Sequence, residues 1–126
     1  MQIFFKHILP PFILKALRFI YFKLTQRPIT NYFNTDFNRN VLISYIVNPF
    51  RIGVDANHTN TAEARTIASV FNELGYNVDI VHYNETKEMD FSKYDVFFGF
   101  GEPVEKSFAR RKKDAAIIYY GTGMYV

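Results

Sequence analysis

An α/β fold on a parallel sheet is the architecture this sequence predicts, and three observations predict it. Val41-Leu42-Ile43-Ser44-Tyr45-Ile46-Val47 is a continuous apolar run, rich in β-branched residues, of the kind buried on both faces of a parallel sheet. Ala64, Ile67, Ala68, Phe71 and Leu74 then recur at helical spacing. Short apolar runs at 76–81, 94–100 and 115–120 follow, with a second helical segment over 103–113. Strands that alternate with helices pair in parallel through right-handed crossovers.

Taken in order, residues 1–39 form a basic, aromatic leader and linker, and residues 40–126 form the α/β unit. The leader sets Ile3-Phe4-Phe5, Phe12-Ile13-Leu14 and Phe19-Ile20-Tyr21-Phe22 among Lys6, Lys15, Arg18 and Lys23. It cannot span a bilayer, which needs about 20 mostly uncharged apolar residues. The longest charge-free run, 7–14, is broken by Pro10-Pro11. Scattered cations and the lack of a small-residue cleavage site also argue against a secretory signal.

From Pro11 onward the spacing predicts an amphipathic helix, with proline in its first turn where the missing N–H does no harm. Lys15, Arg18 and Lys23 share an arc of about 140°, into which Phe19 and Phe22 intrude. Basic residues beside Phe and Leu suit the headgroup region of anionic lipid, so residues 1–24 are expected to meet an anionic membrane surface. Packing on another domain or a neighbouring chain, or a disordered start, are the competing readings. The location this implies is cytoplasmic, peripheral on the membrane.

Residues 27–40 are polar and turn-rich and read as a linker. The first strand ends at Asn48-Pro49, and a long loop leads to a helix over 61–74. Asn60 is placed to cap that helix, Glu63 three residues on completes a capping box, and Gly75 stands at its exit. A fourth strand at 115–120 closes on Gly121-Thr122-Gly123. The expected strand order is 3-2-1-4, half of a doubly wound, Rossmann-like sheet. An open edge just past the last strand predicts an incomplete sequence.

Composition narrows the function. The chain has 126 residues, 48% apolar and 21% charged, which allows one packed domain. Residues 1–40 carry six Lys or Arg against one acid, and residues 41–126 carry nine against eleven. Because the folded unit is slightly acidic, no nucleic-acid partner is expected. With no cysteine, disulfides, thiolate chemistry and Cys-ligated zinc are excluded. Asn57-His58-Thr59 and Asn84-Glu85-Thr86 match the glycosylation pattern by chance.

Ligands of open parallel sheets bind beyond the carboxyl ends of the strands, here between strands 1 and 4 where the expected order reverses. Three loops reach that edge: 48–60, 99–103 and 121–123. In the first, His58 is the candidate catalytic base, since an imidazole near its reference pKa of about 6.5 accepts a proton at neutral pH. The plain alternative is a surface histidine with no role. Asn60 and Thr61 open the helix whose N–H groups attract an anion.

Gly101 and Glu102 follow strand 3, where Glu102 either caps the next helix or accepts from a sugar hydroxyl. Gly121, Thr122 and Gly123 follow strand 4, and Gly-x-Gly permits close backbone approach. No Gly-x-Gly-x-x-Gly follows strand 1, so no dinucleotide cofactor is expected, nor any other cofactor or metal. Arg110-Arg111-Lys112-Lys113 reads as a solvated last helical turn or as a phosphate patch.

The segments 58–64, 72–79, Gly99-Phe100-Gly101-Glu102-Pro103 and Tyr119-Tyr120-Gly121-Thr122-Gly123 resemble the amino-terminal domain of two-Rossmann-domain (GT-B) glycosyltransferases, family 1/4-like, over about two thirds of the chain. That resemblance implies transfer of a sugar from a nucleotide-sugar donor to a glycosyl acceptor, with this half facing the acceptor. It also implies a donor-binding second domain that these residues do not contain, so the fragment alone is expected to be inactive. From a different class, the rival is a non-catalytic, membrane-associated α/β interaction module. A phosphoacceptor receiver is disfavoured, because Asn48 and Gly101 stand where it needs an aspartate.

Overall fold

A computed structural model describes residues 10–51 and 59–121, without the side chains of Phe22, Thr59 and Asn60. The elements are α1 (Pro11–Thr25), β1 (Arg39–Tyr45), α2 (Asn48–Arg51), α3 (Thr59–Glu73), β2 (Tyr76–His82), a 3-10 turn (Phe91–Lys93), β3 (Val96–Gly99), α4 (Glu102–Arg110) and β4 (Ala116–Tyr119). All four strands are parallel, as the alternation of strand and helix predicts.

Strand order corrects the expectation. It is β2-β1-β3-β4, not 3-2-1-4. The reason lies in the stretch read as a linker, which occupies the edge of β2 that strand 3 was expected to take. Ile29 forms an antiparallel bridge with Ile80, donating to and accepting from it at 2.8 Å, and Tyr32 N–H donates to the Val78 carbonyl at 2.9 Å. Asp79 holds the same stretch by accepting from the Asn31 N–H at 2.8 Å. With that edge filled, β3 pairs with the free side of β1, Val41 against Val96 through Ser44 against Gly99.

Being central, β1 is buried from Val41 to Tyr45. Val41, Ile43 and Tyr45 face α3, whose Ala64 and Ala68 lie fully buried against them with Ile67 and Phe71 partly so. On the opposite face Leu42 meets Phe97, Val81, Phe91 and Tyr94. β4 is the exposed edge, with Tyr119 60% accessible.

Several boundaries move, each for a local reason. The first strand ends at Tyr45, since Val47 already accepts from the Phe50 N–H at 3.0 Å to start α2, with Pro49 and Phe50 buried. α3 begins at Thr59, so Asn60 lies inside the first turn and is not the cap. α4 stops at Arg110, and Arg111 turns to extended backbone. The basic run is consequently split among separate partners. Arg110 bonds both oxygens of Glu88 at 3.1 and 2.9 Å, Lys112 pairs with Asp95 at 2.7 Å, and Arg111 donates to the Ala115 carbonyl. Of the run expected in the last helical turn, only Arg110 lies there.

Candidate functional site

With this order, the reversal of direction falls between β1 and β3, as in other doubly wound sheets that run 2-1-3-4, and not between strands 1 and 4. The crevice at the carboxyl edge is therefore flanked by the residues after Tyr45 and those after Gly99. Gly101 and Glu102 come to the crevice directly. Gly121 lies one strand further out, roughly 10 Å from β1 at ordinary strand spacing. Thr122, Gly123 and the expected base His58 lie outside the described residues, and of Asn60 only the backbone is described.

Two glycines let β3 close onto its neighbours. Gly99 has φ +125°, and a Cβ there would sit 1.9 Å from the Ser44 carbonyl oxygen; Gly101 has φ +87°, and a Cβ would sit 2.2 Å from the Tyr83 carbonyl oxygen. Both positions exclude a side chain on space as well as on backbone conformation. The close approach is used by hydrogen bonds. Ser44 Oγ donates to the Phe100 carbonyl at 2.7 Å, Phe100 N–H to Ser44 at 3.1 Å, and Glu102 N–H to the Tyr83 carbonyl at 2.8 Å.

Glu102 thus opens α4 with its backbone, while Gly101 holds the cap position without a side-chain bond. The Glu102 carboxylate does not cap. It is half exposed, 3.9 Å from Lys106 one turn on, and available to a ligand.

Aromatic rings pack beneath this edge, with Tyr45 and Phe100 buried. Tyr45 packs edge-on against Phe100 at 5.7 Å and Tyr120 at 6.1 Å, and Tyr83 stacks on Phe100 at 4.9 Å. Burial, then the charge of Glu63, pushes the Tyr45 hydroxyl above its ordinary pKa, so it stays a neutral hydrogen-bond donor.

Buried polar atoms without partners are uncommon in folded proteins and call for a physical cause. Three side-chain oxygens are in that condition among the described residues: Glu63 Oε1, Asn48 Oδ1 and Gln26 Oε1. Asn48 follows β1, Glu63 lies in the first half of α3 within electrostatic reach of Tyr45, and Gln26 lines a small cleft with Lys23, His82, Asn84 and Glu85 at the end of β2. All three belong to the carboxyl edge. Because α3 begins early, Glu63 does not close the capping box expected of it.

His82 is the histidine this edge holds among the described residues. Burial lowers its pKa more than Glu85 raises it, so the ring is neutral at pH 7. Its Nδ1 accepts from the Asn84 N–H at 3.1 Å, which uses the lone pair and leaves Nε2 protonated. It stacks on Tyr83 at 4.2 Å. In this state His82 donates and does not act as a base.

A second cleft, about 160 Å³, lies beside the outer edge of β2 between Ile29, Val81, Lys87 and Tyr94. Its carboxylate, Asp79, is saturated by Asn31 N–H, Lys93 Nζ at 2.7 Å and the Tyr94 hydroxyl at 2.7 Å. That arrangement is a structural lock. Burial and the bond to Asp79 raise the Tyr94 pKa far above the usual tyrosine range.

Among the described residues no group of three or more His, Asp or Glu is placed to hold a metal, and no helix is long and apolar enough to cross a membrane. Comparison of the chain with family models, curated proteins and solved structures finds no match.

Sequence reasoning missed Tyr45, Asn48, Glu63 and His82 as site residues. A signal for Glu63 was present: it continues the Ile67 and Phe71 stripe at i, i+4, i+8, which points a carboxylate to the core side of α3. Gln26 carried none, because its place depends on the pairing of residues 29–32 with β2.

Proposed function

We propose that this chain is the acceptor-side part of a sugar-transferring enzyme that works at an anionic membrane surface. The observation that carries the reading is the pair of buried, unpartnered oxygens Asn48 Oδ1 and Glu63 Oε1 beside the β1/β3 reversal. Both are acceptors, and a sugar hydroxyl supplies the missing donor. Glu102, half exposed just after β3, adds a second carboxylate on the same edge.

On this reading the sheet is half of a doubly wound domain, with a nucleotide-sugar bound chiefly elsewhere. His58, Asn60 and Thr61 follow β1 in the chain, and Gly121, Thr122 and Gly123 follow β4. His58 is the proposed base for the acceptor hydroxyl. In an enzyme containing both halves, His58→Ala lowers turnover by about 10² to 10⁴ without unfolding, whereas a change under about threefold would make it a bystander.

Sugar titration of the chain by saturation-transfer NMR is the nearer test. Binding of a free hexose or disaccharide should weaken about tenfold in Glu63→Gln, which removes the charge and replaces one carboxylate oxygen by an NH2 donor of the same shape. Equal binding to both forms would remove the crevice from consideration. A non-catalytic membrane module is the second reading. The state of His82 favours it, since its lone pair is engaged.

A further inference from the structure

The direction in which the chain enters the sheet fixes where α1 sits. Ile29 lies opposite Ile80, and Tyr32 donates to Val78, so this segment descends β2 from its carboxyl end toward its amino end. Everything ahead of Ile29 therefore joins the molecule at the carboxyl edge. Two contacts secure the junction: Arg51 of α2 donates to the carbonyls of Arg27 and Pro28 at 2.7 and 3.3 Å, and Lys23 and Gln26 share a cleft with His82, Asn84 and Glu85.

α1 itself is almost uncovered. Apart from Leu14 and Thr25 every described side chain in it is exposed, Phe12 to 72% and Tyr21 to 66%. A helix so apolar is stable when something buries it. Its charge selects the occupant. Lys15, Arg18 and Lys23 lie in the helix and no acidic residue precedes Asp36, so an anionic lipid surface satisfies both the rings and the cations. Lys23 also stands 5.7 Å over the Phe19 ring, an arrangement in which an interfacial cation and an aromatic ring share one depth.

We propose that α1 lies in the headgroup layer and turns the carboxyl edge toward the bilayer, so that the ligand of the β1/β3 crevice is the sugar head of a membrane lipid and not a soluble saccharide. This rests on the sugar-acceptor reading and adds the substrate class to it. The amino ends of the strands point into water, about 20 Å from the headgroups at ordinary strand rise. A lipid-borne head enters the crevice from the side on which its unpartnered acceptors lie, and its acyl chains stay in the bilayer.

The absence of cysteine makes the orientation measurable with single labels. Asn84→Cys at the carboxyl edge and Asp114→Cys at the amino edge, both exposed, are each labelled with a fluorophore in the full chain. They are mixed with phosphatidylcholine vesicles containing about a third phosphatidylglycerol and a headgroup nitroxide lipid. The Asn84 label should lose most of its emission and the Asp114 label almost none. Vesicle-bound protein with both labels bright, or with Asp114 quenched instead, overturns the inference while leaving membrane binding intact. Protein that does not bind the vesicles overturns the membrane reading as well.

A second arm tests substrate class. Adding a neutral hexosyl diacylglycerol should raise the bound fraction several-fold above plain anionic vesicles, the increment should vanish in Glu63→Gln, and the free hexose at equal concentration should not compete it away. Full competition by the free sugar keeps the sugar site and refutes the lipid-borne head. No increment with glycolipid refutes it also.

Discussion

At the scale of single residues, His82 shows how burial turns a titratable group into a fixed donor. The unfolded chain titrates near 6.5, whereas in the fold burial holds His82 lower. Between those values the unfolded state takes up more protons, so stability is full above about pH 6.5 and falls as pH drops through the window. Below the folded value the slope vanishes. Denaturation midpoints measured between about pH 7.5 and about pH 5 should decline in the parent and be flatter in His82→Gln; parallel curves would contradict the assignment. That His82 would matter was readable only in outline. Its position at the end of an apolar run marks a strand terminus, but the bond from the Asn84 N–H depends on a turn the sequence does not announce.

At the scale of elements, the helical and strand periods of residues 41–119 were legible because burial imposes them. Ends were less so. Capping chemistry pointed to Asn60 as the start of α3, yet the helix begins at Thr59, and Pro49, read as part of a stop, instead lies in the first turn of α2. Local signals compete with packing at termini, and here burial of Phe50 and Pro49 decides.

For α1 the sequence gives the composition of an interfacial helix, and the structure leaves it uncovered. Each Lys or Arg near an anionic surface contributes about 1 kcal/mol. Replacing Lys15, Arg18 and Lys23 together by Glu should therefore weaken flotation on anionic vesicles by about 10² or more. Equal binding of the parent chain to neutral and to anionic vesicles would leave the charge without a role.

At the scale of the whole molecule, the class of fold was legible and the strand order was not. Alternation fixes parallel pairing but leaves open which side of β1 receives β3. Residues 29–32 decide it by covering β2, and nothing in their turn-rich composition marks them as a paired edge. Asp79 holds them there with three donors, one from Asn31, one from Lys93 and one from the buried Tyr94. Asp79→Ala should cost about 2 to 4 kcal/mol in chemical denaturation and expose the Ile29 and Tyr32 amides to early hydrogen exchange. A loss below about 0.5 kcal/mol would show that the backbone bridge suffices. The same rearrangement moved the expected ligand crevice from strands 1 and 4 to β1 and β3. It thereby brought Glu102 nearer and set Gly121 farther away.

The central claim is that the β1/β3 end of the sheet receives a sugar, and amide chemical-shift mapping during titration with a glycosyl acceptor tests it most directly. The predicted result is a cluster of shifting amides at 46–48, 61–64 and 100–102, with the amino ends of the strands at Arg39, Tyr76 and Ala116 unmoved. Shifts confined to the Asp79 cleft or to the β4 edge, or no shifts with any saccharide, would contradict it.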